Sequence, residues 1–299
     1  MAVVPFVTKT ERFANLVNAL IKSDGGFVNR LNNTAIVPNG TRSGAITSRI
    51  TTAITLQDIT DGTMPQNFAG RTEVPLTAFR KQHPIKLNPD ETDQFWGDGE
   101  AMIREATAFA SAAWVAMEGE IVADLVGGTP GHTSTLTTGQ IDFLTDGTDG
   151  EAYDNLNELD KAIGYMRANT GGYDAALSIL MPTTAYSNFV TLMGSSRYGA
   201  NMWVQESKVL GQRVLNYQNI PVFPTTVTTN FGGAGKECAF VVHRDAEAVV
   251  WQNMEFHGAQ TGEPAWRAFP DGTYGCLIQC YGFAGLVQAL YAAVLNPTA

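Results

Sequence analysis

The sequence predicts an α+β protein, and three observations carry that expectation. Residues 99–126 repeat apolar side chains at helical spacing without interruption, enough for a helix of about 42 Å. Residues 44–56 alternate Ile and Leu with Ser, Thr and Gln, the period of a strand, and a proline-bearing second run follows them. Beyond residue 176, short apolar runs succeed one another with one further helix among them.

Composition narrows the class. The chain has 299 residues, 44% apolar and only 16% charged, which excludes strong disorder and provides for a large core. No apolar stretch reaches the roughly 18 residues of a membrane span, so no membrane is expected. Residues 1–5 hold no basic segment ahead of an apolar run, so no secretory signal is expected. Three cysteines cannot build a disulfide scaffold, and Cys276 and Cys280 on one strand would stand about 13 Å apart.

The net charge of −10 is uneven. Residues 1–96 carry ten Lys/Arg against eight Asp/Glu, leaving nine against twenty-one for residues 97–299. An acidic body disfavours tight nucleic-acid binding, because a phosphate backbone is repelled. A slightly basic arm on that body could bind another copy of the chain, or both could be solvated faces.

The first element expected is an amphipathic helix over 11–22, with Phe13, Leu16, Val17, Leu20 and Ile21 on one side and Gly25–Gly26 as its stop. Next come the Thr-rich strand, a turn-rich tip at 58–71, and a return strand with Val74, Leu76, Phe79, Ile85 and Leu87. Pro75 and Pro84 confine that return strand to an edge or to interruptions of a ladder. A lone hairpin of this length is barely stable in water, so burial against a neighbouring subunit is expected.

The long helix has Asp98 as its expected N-cap and Gly127–Gly128 as its end. Its apolar face runs through Met102, Ala106, Phe109, Ala113, Met117, Ile121 and Leu125, widened by Ile103, Ala110 and Trp114. A loop at 129–150 follows. A second helix then carries Leu156, Leu159, Ile163 and Met166, with Thr148 and Glu151 in capping-box spacing and Gly171–Gly172 closing it. Residues 176–181 read as a buried strand, and Pro182 with two threonines opens a helix ending at Gly194. After an irregular polar loop come a strand at 209–217, a bend at 219–221, and two strands, 238–243 and 248–252, expected to pair about a turn at Arg244–Asp245. Residues 272–296 suit one long strand bent by glycines better than a helix, with 286–295 open to either.

No catalytic constellation is complete. His243–Arg244–Asp245 imitates a kinase catalytic loop but lacks the metal-binding Asn, position 250 being Val. Residues 230–237 resemble a phosphate loop, yet Asn230 stands for the first Gly and Glu237 for the final hydroxyl residue. Gly194 to Gly199 miss the nucleophile-elbow spacing. His83, His132, His243 and His257 are scattered, which leaves zinc without ligands, and Asp142, Asp146 and Asp149 miss calcium-loop spacing. Cys276, Ile278 and Cys280 would share a strand face as small core residues. The five tryptophans do not interleave with basic residues, so no base-stacking platform is expected. No catalytic, cofactor-binding or metal-binding residue is assigned, no cofactor is expected, and the chain is not read as an enzyme.

The order of elements resembles that of the HK97-type major capsid proteins of tailed bacteriophages. The most specific stretch is 176–199, ALSILMPTTAYSNFVTLMGSSRYG, followed by LGQRVLNYQNIPVFPTT at 210–226. The resemblance implies an HK97-like capsid fold with an N-terminal arm at 1–43 and an extended β-hairpin loop at 44–96. It implies a spine helix and peripheral domain at 97–176, an axial domain at 177–255, and C-terminal strands at 256–299 returning to the peripheral domain. It also implies self-assembly into hexamers and pentamers of an icosahedral virion shell, built in the host cytoplasm around double-stranded DNA held without sequence-specific binding. Portal and decoration proteins would be further partners. Some family members carry a scaffolding segment of about a hundred residues; here about 43 precede the hairpin, implying a separate scaffolding protein or none. Lys81 and Lys86 lie away from the hairpin tip and no Asn partner is assigned, so covalent crosslinking is not expected. Two other readings stand beside this one: an encapsulin-like nanocompartment shell, whose N-terminal helix would dock cargo, and, from another class, a soluble hydrolase or lectin-like α+β protein.

Overall fold

The structure is a computed structural model that describes residues 16, 27–31, 43–47, 73–87, 99–136, 151–172, 174–194, 204–209, 212–225, 238–256, 267–268 and 274–297. Two sheets organise them. The larger is a mixed seven-stranded sheet ordered β3-β12-β8-β4-β7-β6-β5, built from β3 (His132–Leu136), β4 (Leu177–Pro182), β5 (Val204–Val209), β6 (Gln212–Tyr217), β7 (Ile220–Thr225), β8 (Ala239–His243) and β12 (Ala292–Pro297). The smaller holds β1 (Ser43–Thr47), β2 (Glu73–Leu87), β10 (Arg267–Ala268) and β11 (Tyr274–Leu286) in the order β1-β2-β11-β10, with β9 (Glu247–Phe256) also pairing β11. Among the described residues the long helices are α1 (Gly99–Gly127), α2 (Glu151–Thr170) and α3 (Thr183–Gly194).

The period of two in the central strands separates two cores. Leu180, Phe223, Phe240, Val242, Ala292 and Val294 face α1, meeting Ala106, Phe109, Ala113, Met117, Ile121 and Leu125. Their chain neighbours Ile179, Met181, Val222, Val241, Ala293 and Leu295 face the other way, onto Leu159, Ile163 and Met166 of α2 and Phe189 of α3. The near-continuous apolar runs at 177–182, 239–243 and 292–295 are thus those of strands covered on both faces. The α1 face is the one the spacing predicts, save that Ile103 is 50% exposed. Ile103 lies in the first turns of α1, ahead of Ala106, the first residue of this helix in the core.

The helix ends follow from glycine. Gly128 donates to the Asp124 carbonyl at 2.7 Å, and a Cβ there would stand 2.6 Å from Leu286 Cδ2 and 2.9 Å from that carbonyl. Gly171 and Gly172 take φ of +69° and +79°, and Gly172 N–H reaches back to the Arg167 carbonyl at 2.8 Å, closing α2 with a left-handed cap. Before α1, a short 3-10 turn, Phe27–Arg30, enters the first core: Phe27 is buried with its ring edge-on to Phe223 at 6.2 Å. Leu16, helical, packs against the same core. The rest of the helix expected over 11–22, the N-cap Asp98, the hairpin tip and the capping pair at Thr148 lie outside the described residues.

Several expectations are corrected. The segment is not a lone hairpin: β2 pairs antiparallel with β1 over 73–77 and then with β11 of the same chain, Thr77 opposite Ala284 through Leu87 opposite Tyr274. β2 is therefore interior in strand order, yet each proline meets a partner on one flank only among the described residues, Pro75 opposite Ala45 and Pro84 opposite Leu277. The loop expected at 129–150 contains β3, an edge strand too short and polar to announce itself. The polar stretch before residue 209 contains β5, which pairs antiparallel with β6, Val209 opposite Gln212, so the strand expected over 209–217 is two. The β6–β7 turn falls at Gln218–Asn219, both at positive φ as a two-residue hairpin turn requires, one residue earlier than the expected bend.

The last correction matters most. Strands 239–243 and 247–256 do not pair with each other. β8 pairs with β4 and β12 in the large sheet, and β9 pairs with β11 in the small one. The expected single strand at 272–296 is β11, a 3-10 turn at Ala289–Tyr291, and β12. Two chain segments thus run antiparallel to each other through both sheets, bending together at 244–246 and 287–291. Alternating apolar residues on either side of such a bend look the same in sequence as one continuous strand.

Candidate functional site

Among the described residues, those with chemical potential do not converge on a catalytic centre. His243 ends β8, Arg244 and Asp245 lie in the following turn, and His132 begins β3, where its Nε2 is 3.0 Å from Ser134 Oγ and its ring stacks on Tyr165 at 4.8 Å. His83 is in β2 opposite Ile278, and Cys276 and Cys280 lie on β11 opposite Ile85 and Lys81. Cys238 is buried in the first core. Trp114 is a core residue of α1 and Trp251 lies in β9 opposite Gly282. His257, the glycine-rich run 230–237, the acids at 142, 146 and 149, and Trp96, Trp203 and Trp266 lie outside the described residues. Among the described residues no three His, Cys, Asp or Glu side chains gather to hold a metal, and no helix is long and apolar enough to cross a membrane.

What the fold does assemble are three points of attachment. At the first, Arg30 fixes the 27–31 segment: its Nε donates to Ser178 Oγ at 3.3 Å, and its Nη2 to the carbonyls of Ala175 and Leu177 at 3.2 and 3.4 Å. These acceptors lie on β4 and on the 3-10 turn Asp174–Ala176 before it, so residues 27–31 are tied to the centre of the large sheet.

The second is a polar network between α2 and the β6–β7 turn. Arg167 forms a two-bond pair with Asp174 at 2.8 and 2.9 Å, and donates to Gln218 Oε1 at 2.7 Å and to the Gln218 carbonyl at 3.3 Å. Asp160 Oδ1 accepts from the Tyr217 hydroxyl at 2.8 Å and from Gln218 Nε2 at 2.7 Å. Gln218 is thereby held from both ends of its amide, which keeps a non-glycine residue in the left-handed region. Sequence reading passed over this network. Its one legible trace is that Asp160 and Arg167, seven apart, fall on one helix face two turns apart.

Burial raises the Asp160 carboxyl above its ordinary value, against the hydrogen bonds from Tyr217 and Gln218 and the charge of Arg167, and burial also raises the Tyr217 phenol. A carboxyl raised in the folded state contributes stability that is fully present below about pH 3.8 and is lost as pH rises through the raised value. Asp160→Asn keeps an acceptor oxygen and removes the buried charge, so at pH 7 it should leave the melting temperature unchanged or raised. Asp160→Ala strands the hydroxyl and the amide and should cost about 2 kcal/mol. Thermal unfolding of the two variants checks this; equal losses from both would refute the assignment of burial as the dominant effect.

The third is the junction where both sheets meet. The Ala246 carbonyl accepts from Val287 N–H at 2.8 Å and from Gln288 N–H at 3.1 Å, Arg244 N–H donates to the Ala176 carbonyl at 2.9 Å, and Gly131 N–H donates to the Ala289 carbonyl at 2.7 Å. Ala246 is fully buried and Gln288 nearly so. The α1–β3, β8–β9 and β11–β12 connections therefore pass one another at a single place.

No protein-family model and no curated protein sequence matches the chain. Solved structures do match in fold. A virus-like particle from Pyrococcus furiosus superposes with a TM-score of 0.58 at 11% identity, covering 95% of this chain and 98% of that one. The capsid of the cyanophage P-SCSP1u gives 0.55 at 12% identity, over 87% and 84% of the two chains, and the mature capsid of bacteriophage PhiM1 gives 0.53 at 10%, over 87% and 83%. Agreement over most of both chains at such low identity is a likeness of architecture, and it is the likeness that the order of elements carries: the chain has an HK97-like capsid fold.

Proposed function

We propose that this chain is a major capsid protein of a tailed bacteriophage, assembling with copies of itself as hexamers and pentamers of an icosahedral shell around double-stranded DNA. The observation that carries the reading is the fold match to phage capsids over more than four-fifths of both chains. The uneven charge supports it: a body with twenty-one acids against nine bases over 97–299 repels a packaged polyanion and keeps it from adhering to the wall. The role is structural, with no catalytic step. The division into arm (1–43), extended loop (44–96), spine helix and peripheral domain (97–176), axial domain (177–255) and returning C-terminal strands (256–299) belongs to this proposal. So do a separate scaffolding protein, a portal, decoration proteins, and a place in the virion after assembly in the host cytoplasm.

A second reading, a nanocompartment shell enclosing cargo rather than a genome, is favoured by the match to a virus-like particle over nearly all of both chains. Negative-stain electron microscopy of the expressed chain, alone and with a scaffold, separates the outcomes. Large closed shells are expected; uniformly small shells would favour the nanocompartment. A single 32-kDa species under every condition would overturn both.

A further inference from the structure

At the junction between the sheets, the turn at 244–246 is entered from a buried histidine. His243 is 7% exposed and occupies the last position of β8, opposite Leu177 of β4. Its Nδ1 accepts the backbone N–H of Asp245 at 3.1 Å, so the neutral imidazole is the form that fits the turn. The ring lies against Tyr291 at 5.0 Å, on the turn that leads into β12. The same 244–246 turn presents the Ala246 carbonyl to Val287 and Gln288, and its Ala246 N–H donates to the His243 carbonyl at 2.9 Å. His243 is thus one hydrogen bond away from the tie that holds the bent ribbon together.

We propose that the junction is a pH-sensitive coupling between the two sheets, released when His243 takes a second proton. Protonation places a hydrogen on Nδ1, where it meets the Asp245 N–H donor head-on. The ring must then turn toward the Asp245 carboxylate, whose Oδ2 is 3.8 Å from Nδ1, or the turn must open. Either movement shifts the peptide that carries the Ala246 carbonyl. Three elements bring titratable or charged groups to the junction around the ring. In its own turn are Asp245, which favours the cation, and Arg244, which opposes it. From the turn before β12 comes the Tyr291 phenol. Beside β4 is Arg30, bonded to the carbonyl of Leu177 opposite His243.

Burial outweighs the attraction of Asp245 and lowers the His243 value below 6.5. For a histidine lowered in the folded state, the stabilisation is fully present above about pH 6.5 and is lost as pH falls from there through the folded value. The closed junction therefore belongs to neutral pH and the loosened one to acid.

Hydrogen exchange of the intact chain, read by mass spectrometry on peptides spanning 285–292 and corrected for intrinsic rates, tests this between pH 7.5 and 5. Protection there should fall by about tenfold on acidification while peptides from the middle of α1 keep theirs. In His243→Asn, whose Oδ1 can accept from Asp245 N–H and cannot be protonated, protection should stay flat. Constant protection in the unsubstituted chain, or the same loss in His243→Asn, would overturn the proposal. Should that variant fail to fold, exchange at the imidazole Cε1 in the unsubstituted chain gives the His243 midpoint. That midpoint must coincide with the loss of protection, and separation by more than a pH unit would equally overturn it.

Discussion

Phe240→Ala is expected to lower the unfolding free energy by about 3–5 kcal/mol, a large share of the roughly 5–15 kcal/mol that holds a typical domain. Phe240 is 2% exposed in β8, opposite Val294 on one side and Leu180 on the other, and its ring belongs to the core under α1. Strands hydrogen-bonded on both sides cannot close over the void. Phe240→Leu keeps most of the volume and should lose under about 1.5 kcal/mol. Urea unfolding reads both: the midpoint should move far for alanine and little for leucine, with the slope unchanged. A loss below about 1 kcal/mol for alanine would mean the two layers are not packed as described.

The second large effect is expected at Arg30. Its guanidinium serves three acceptors, Ser178 Oγ and the carbonyls of Ala175 and Leu177, and Ser178 is itself buried. Arg30→Ala leaves the exposed Ala175 carbonyl to water but strands the acceptors on buried Ser178 and Leu177, which should cost about 1–3 kcal/mol. The readout is local as well as global. Exchange protection over residues 27–31 should be lost well before that of β4, and Arg30→Lys should restore it only in part, because one ammonium cannot reach three acceptors as a planar fork does. Unchanged protection over 27–31 in Arg30→Ala would show that Phe27 and Leu31 hold the segment by burial alone.

Much of this was legible in sequence where a single periodicity ruled. α1, α2, α3 and β4 lie within a residue or two of where spacing, glycines and Pro182 put them. What stayed hidden depended on partners distant in the chain. Nothing in 272–296 says that β11 and β12 enter different sheets, because the bend at 287–291 is made by hydrogen bonds to Ala246 and by Gly131 reaching Ala289. β3 and β5 escaped because edge strands may be polar, and HTSTL and VQESKV carry no apolar alternation to read. The attachment points were hidden for the same reason. Arg30 and Ser178 are far apart in sequence, and Gln218 acquires meaning only once Asp160 and Arg167 are seen to face the β6–β7 turn.

The long pairing of β2 with β11 also sets how the molecule carries load. A pull along β2 acts parallel to the strand axis, so the ladder from Thr77–Ala284 to Leu87–Tyr274 is loaded in shear and its bonds must yield together rather than one at a time. Beyond β11 the strain passes through five residues into β12, which lies between β3 and β8 in the large sheet. The chain thus has a short mechanical path from β2 to the strands sandwiched between helices, and its one bend is braced from the side by the Ala246 carbonyl.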